Sequence, residues 1–225
     1  MQRYRSPSPL PRRAFLRTSA AVGLLGLTGV RFAQAELQAT PAQMQGPFYP
    51  LTLPLDRDND LVTVAGRSGT AFGTITDVAG RVTDADGRPM AGVAVEIWQV
   101  NGHGRYHHPH DESSAPVDPN FQGYGQTVTD AQGAYRFRTV KPVAYPGRAP
   151  HIHFGLGVPG QAPFYTQMYL AGAPENASDF LLRALRDRRA RDSLVVALTP
   201  SPHAGSALAG RFDIVLGRTP VTREP

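Results

Sequence analysis

From Ala71 onward the chain alternates apolar and polar positions in short runs broken by turn signals. The run over 134–140 is the clearest: Tyr135, Phe137 and Thr139 fall on one side of an extended chain, and Arg136 and Arg138 on the other. A period of two predicts a strand with one buried face. Comparable runs at 75–82, 93–100, 127–129, 151–158, 163–170, 193–198 and 211–216 bring the total to about eight strands. Asp84-Ala85-Asp86-Gly87 and Asp130-Ala131-Gln132-Gly133 read as tight turns between them. Only 178–189 has helical spacing, with Leu181, Leu182 and Leu185 as its apolar stripe and Asn176 or Ser178 as the cap. Over 36–70, Pro41, Pro47, Pro50 and Pro54 oppose both helix and central strand. The pattern predicts an all-β chain: an antiparallel β-sandwich over 71–225, an extended N-terminal arm over 36–70 and one short helix.

Charge changes the picture at the N-terminus. The sequence carries 23 basic and 18 acidic residues, a formal net charge of +5. Six of the basic residues (Arg3, Arg5, Arg12, Arg13, Arg17 and Arg31) lie in residues 1–35, which contain no acid. Removing those six leaves 17 against 18, so 36–225 is near neutral and a nucleic-acid partner loses its main support. Residues 1–35 have the layout of a cleavable export signal: an arginine-rich start, a moderate apolar run from Thr18 to Val30, and Ala33-Gln34-Ala35 as a cleavage site after Ala35. Arg12-Arg13 before Phe15-Leu16 resembles a twin-arginine signal, a route that exports proteins already folded. An ordinary secretory signal and a basic amphipathic tail are the alternatives. The expectation is an exported, periplasmic or extracellular protein with no stable membrane insertion after cleavage, because the apolar run is too short to span a bilayer.

With no cysteine, disulfides, thiolate metal sites and cysteine nucleophiles are excluded. His151-Ile152-His153-Phe154 carries the most chemistry. Residues two apart on a strand project together, so His151 and His153 share a face while Ile152, Phe154 and Leu156 turn to the core. Two imidazoles so placed can chelate a metal or simply be packed histidines. His103, His107, His108 and His110 crowd one glycine-rich loop, as further donors or as a solvated tract. No Asp or Glu occurs from Phe154 to Tyr169, so a local two-histidine, one-carboxylate site is unsupported. Tyr106 and Tyr145 are available oxygen donors, although composition alone makes neither a ligand.

Gly46-Pro47-Phe48-Tyr49-Pro50, Val95-Glu96-Ile97-Trp98-Gln99, Gly104-Arg105-Tyr106, Asp118-Pro119-Asn120-Phe121-Gln122-Gly123, Tyr145-Pro146, Pro150-His151-Ile152-His153-Phe154 and Thr166-Gln167-Met168-Tyr169 follow one another along the chain. In that order they resemble the intradiol ring-cleavage dioxygenases, most closely the protocatechuate 3,4-dioxygenase branch. The resemblance implies a β-sandwich and one non-haem ferric ion, Fe(III), held by Tyr106, Tyr145, His151 and His153. Tyr145 and His153 would be axial, and Tyr106 and His151 equatorial. It implies cleavage of a catechol-type aromatic diol by O2 between the hydroxyl-bearing carbons, to a cis,cis-muconate, with Tyr145 taking a substrate proton. Arg148 would stabilise the carbanion-like ring, an electrostatic task suited to a permanently charged guanidinium. Gln167 would support the pocket beside the iron. Phe48 and Tyr49 would line the pocket mouth or pack the arm, and Trp98 belongs to the core. Gly147 stands where protocatechuate enzymes carry an aromatic, which shortens that pocket wall. A homo-oligomer is compatible with the resemblance. Two other classes compete: a transthyretin-like sandwich acting as a non-catalytic binding module, and a metallo-oxygenase pairing His151 and His153 with Asp111 or Glu112.

Overall fold

The computed structural model describes residues 37–217; the export-signal reading of 1–35 lies outside them. Among the described residues, ten strands form two five-stranded sheets. In the first, β1 (Ile75–Asp84) runs antiparallel to β4 (Ala134–Val140). Its other edge pairs with β9 (Leu208–Arg211) beside Thr76–Ala79 and then with β10 (Ile214–Leu216) beside Val82–Asp84. The two-residue β8 (Thr199–Pro200) closes that side. The second sheet has the order β3 (Tyr124–Val128), β2 (Ala94–Trp98), β5 (His151–Gly157), β6 (Phe164–Leu170), β7 (Val195–Val196).

The expected sandwich is present, with antiparallel pairing through its central strands. Three pairings, β1 with β9, β1 with β10 and β6 with β7, are parallel. A long crossover separates β6 from β7, and more than a hundred residues separate β1 from β9 and β10, so each pair can run in the direction a hairpin would forbid. The run at 134–140 is reproduced residue for residue, with Tyr135, Phe137 and Thr139 buried. The expected helix at 178–189 is instead a 3₁₀ turn (Pro174–Ala177) and two five-residue helices, α1 (Phe180–Ala184) and α2 (Arg188–Asp192). The caps are Asp179 and Asp187, whose carboxylates accept the first free N–H groups of α1 and α2. Leu185 is extended between them, so the leucine stripe is cut after one turn. Among the described residues no helix is long and apolar enough to cross a membrane.

Val78, Val82 and Phe137 of the first sheet meet Ile97, Ile152, Phe154 and Met168 of the second in one apolar core. Register decides what the other face of the second sheet presents. Trp98 lies opposite His153, His153 opposite Gln167, and His151 opposite Tyr169. Directly opposed residues share a face, so these five side chains form two adjacent rows pointing away from the core. The arm covers them. Thr40 exchanges hydrogen bonds with Val215 at the first sheet, with its N–H and Oγ1 each at 2.9 Å. Gln43 N–H then donates to the Tyr165 carbonyl (2.8 Å), and Thr166 Oγ1 donates to the Pro41 carbonyl (2.8 Å). Gly46 has a φ of +81°, and a Cβ there would sit 3.2 Å from the His153 ring, so close approach and backbone conformation both call for glycine.

Candidate active site

His151 and His153 are 1% and 3% exposed. His151 Nδ1 lies 2.6 Å from the Ala149 carbonyl oxygen. A carbonyl only accepts, so Nδ1 carries the proton and Nε2 is left with its lone pair. That Nε2 is 3.2 Å from His153 Nε2 and 3.5 Å from the Tyr106 hydroxyl. The His153 ring stacks on Trp98 (4.9 Å, 10°), and its buried Nδ1 has no protein partner.

Tyr106 reaches the histidines from the β2–β3 connection. Its N–H donates to Asp111 Oδ2 (2.7 Å), and Asn101 Oδ1 accepts from His103 and Arg105 N–H to brace the same loop. The Tyr106 ring is 4% exposed, stacks under Phe48 (4.5 Å, 24°) and meets Tyr145 edge-on (5.6 Å, 81°). Tyr145 opens a turn closed by Arg148 N–H donating to its carbonyl (2.9 Å) and allowed by Gly147 at φ +80°. Its ring also lies 5.5 Å from that of His151. The four expected donors therefore come together from three chain segments.

Their environment holds all four neutral. Burial, then the negative charge Tyr145 would carry, pushes the Tyr106 phenol well above its usual range. Tyr145 is raised too, chiefly by burial. Burial first and Arg148 second lower His151 to about 4. Burial, then His151, takes His153 well below the usual histidine value. Two neutral imidazoles and two phenols with no carboxylate among them form a nest for a hard, highly charged cation, which reverses the phenol shifts when it binds. This donor set fits Fe(III). Among the described residues no three of His, Cys, Asp and Glu gather to hold a metal. Asp111, the carboxylate of the competing metallo-oxygenase reading, accepts from Tyr106 and Ser113 N–H and braces the loop instead.

Arg148 stands beside this cluster, its side chain 10% exposed. Nη1 lies 3.5 Å from the Tyr145 hydroxyl, and Nη2 donates to Gln167 Oε1 (2.6 Å) and Tyr169 Oη (3.2 Å). Its Nε donates to Asp179 Oδ2 (2.8 Å), and the Phe180 ring lies 5.5 Å from its Cζ. Gln167 is thus a hydrogen-bond partner of the guanidinium, and its Nε2 reaches the Met44 carbonyl (3.4 Å). Tyr169 donates in turn to Gln43 Oε1 (3.0 Å).

Of the remaining candidates, Phe48 lies on Tyr106 and borders a ≈ 230 Å³ cavity with Trp98, Tyr106, His107 and Tyr124. Tyr49 is one layer back: its hydroxyl donates to Glu96 Oε2 (2.9 Å) and its ring packs edge-on against Trp98. Trp98 is buried as expected, yet it floors His153. Gly147 leaves open space, since a Cβ there would meet nothing within 4 Å. His103 stacks on Phe72, while His108 packs near Phe48 and accepts His110 N–H, so this loop's rings serve other contacts. Sequence reading missed Asp179, Gln43 and Tyr169. A cap signal before the leucines marks Asp179 as a helix start, but nothing local announces its partner 31 residues away.

Comparison with known proteins decides the class. The family model described as Dioxygenase matches residues 44–218, spanning every residue of the cluster. The chain belongs to the intradiol ring-cleavage dioxygenases. Among this family it is 43% identical to the protocatechuate 3,4-dioxygenase beta chain of Burkholderia cepacia, over 74% of this chain and 75% of that one. It is 30% identical to catechol 1,2-dioxygenase 2 of Acinetobacter lwoffii, over 80% of this chain and 68% of that one. Among solved structures, the dioxygenase domain of a dioxygenase carbohydrate-binding protein fusion from Streptomyces sp. SirexAA-E matches with a TM-score of 0.62 at 30% identity, covering 80% of this chain and 99% of that one. As an intradiol dioxygenase, the chain has its donors on the outer face of one sheet, under an arm that belongs to the same polypeptide.

Proposed function

We propose that this intradiol dioxygenase depends on Fe(III) held by Tyr106, Tyr145, His151 and His153. We propose further that it opens catechol-type diols with O2 between the hydroxyl-bearing carbons, giving a cis,cis-muconate-type product. The observation that carries the reading is the meeting of two neutral imidazoles and two phenols beside a guanidinium. The six N-terminal arginines and the Ala33-Gln34-Ala35 tripeptide support export through the twin-arginine route.

When bound, the ferric ion supplies Lewis-acid polarisation of the diol and the positive charge that lets phenols ionise. The chain supplies the rest. Ala149 fixes the His151 tautomer. Tyr145, less buried than Tyr106 and carried on a turn, is placed to take a diol proton at its Oη. Arg148 presents Nη1 on the same side as that hydroxyl, where it stabilises negative charge developing on the ring. Gln167 and Tyr169 hold Nη2, so the charge is in place before the diol arrives. Phe48 and Trp98 wall the donors from bulk water. A passive binding module would use none of these groups.

The test is iron analysis and visible spectroscopy on purified protein, with oxygen uptake on catechol, protocatechuate, hydroxyquinol and lignin-derived catechols. Coloured, iron-bearing protein that consumes oxygen and forms a muconate with at least one of them is the expected result. Protein that stays colourless with added ferric ion and inert to the whole panel would falsify the proposal.

A further inference from the structure

Asp179 belongs to no expected ligand set, yet its side chain is fully buried next to the site. All its hydrogen bonds are to neighbours that matter. Oδ2 accepts from Arg148 Nε at 2.8 Å and from Ala149 N–H at 3.0 Å. Oδ1 accepts from Leu181 and Leu182 N–H at 3.1 and 3.0 Å. One carboxylate thereby joins the guanidinium, the entry to β5 two residues before His151, and the start of α1.

A guanidinium is rigid and planar, so fixing two of its nitrogens fixes the third. With Nε on Asp179 and Nη2 on Gln167, the remaining Nη1 has one place to point, toward the Tyr145 hydroxyl. Without Asp179, Gln167 and Tyr169 would hold only one corner, and the plane could turn about it. The Ala149 contact adds a second effect. The same peptide segment whose N–H is fixed by Asp179 offers the carbonyl that sets the His151 tautomer.

We propose that Asp179 is a positioning residue for ring opening, aligning Arg148 with Tyr145 while anchoring α1 against the strand that carries the two histidines. This rests on the functional reading above. Asp179 acts through Arg148, so its loss is expected to lower kcat and spare KM.

The experiment compares iron-loaded wild-type protein with Asp179→Asn, Asp179→Ser and the control Leu182→Ala. Asn and Ser both cap helices, but Asn turns a donor or an uncharged oxygen toward Arg148 Nε, and Ser is too short to reach it. Leu182 is buried in α1 and belongs to the apolar core, and its side chain cannot hydrogen-bond to the guanidinium, so its truncation loosens the helix without removing a polar partner of Arg148. Both Asp179 variants are expected to lose about 10–100-fold in kcat, with KM within about threefold and iron content unchanged. Their visible band should shift, because the charge beside Tyr145 moves. Leu182→Ala should lower Tm yet keep the wild-type band and kcat within about threefold. Asp179 variants with wild-type kcat and band would overturn the inference, as would a Leu182→Ala protein whose kcat and band change as much as theirs. Wild-type protein inert to every diol overturns the functional reading first. Active wild-type protein with unaffected Asp179 variants overturns this inference alone.

Discussion

His151 donates its Nδ1–H to the Ala149 carbonyl, and that bond decides which ring nitrogen is free. Residue-scale expectations follow from such assignments. Tyr106→Phe and Tyr145→Phe should each change the visible spectrum of the iron-loaded protein; unchanged spectra in both would reject the ligand set. Arg148→Lys keeps the charge but has one ammonium where three nitrogens now bridge Asp179, Tyr145 and Gln167. Its kcat should fall about 10²–10³-fold, read by steady-state oxygen uptake. At this scale the sequence showed the donors well, because His151 and His153 are two apart on a strand and the tyrosines stand in recognisable motifs. It did not show Asp179, Gln43 or Tyr169. Their roles exist only where folding brings distant segments together, and no local pattern encodes a hydrogen bond across 31 or 126 residues.

Among elements, strands with a clean two-residue period were legible, and the run at 134–140 needed no revision. β7 falls inside the expected run at 193–198, but β8 and β9 were not foreseen: two residues cannot display a period, and Leu208–Arg211 has no apolar-polar alternation. The single helix failed because Asp187 starts a new one, an effect of capping that outweighs the leucine stripe. The arm yields a prediction of its own. Gly46→Val would place a branched side chain at φ +81° against the His153 ring. It should cost about 1–2 kcal/mol for backbone strain alone, and iron should dissociate faster in a chelator challenge. Another concerns the first sheet. Asp77 is 2% exposed and accepts from Arg136 Nη2 and Ser201 Oγ, each at 2.8 Å. Burial alone would raise its pKa, but these partners outweigh it and hold the carboxyl below its ordinary value. A depressed folded-state pKa gives stability that is complete above the unfolded value of about 4 and is lost as pH falls through the folded one. Asp77→Asn should be less stable at pH 7 by about 1.5–3 kcal/mol. Its urea midpoint should vary less than wild type over the acidic limb.

For the whole molecule, the basic excess resides in residues 1–35, and 36–225 is close to neutral. Replacing Arg12 and Arg13 by lysine should therefore leave iron binding and turnover intact while stopping export, as followed by fractionation of cells making the full-length precursor. Export of the paired-lysine form at the wild-type rate would refute the twin-arginine reading. The link between Thr40 and Val215 spans 175 residues. Three residues farther on, Gln43 N–H is held by the Tyr165 carbonyl of the second sheet, so one short stretch of arm clasps both sheets beside the histidines. The clasp ties the seal over His153 to the joint between the two layers: parting the sheets at Val215 pulls on the same stretch of arm that carries Gly46.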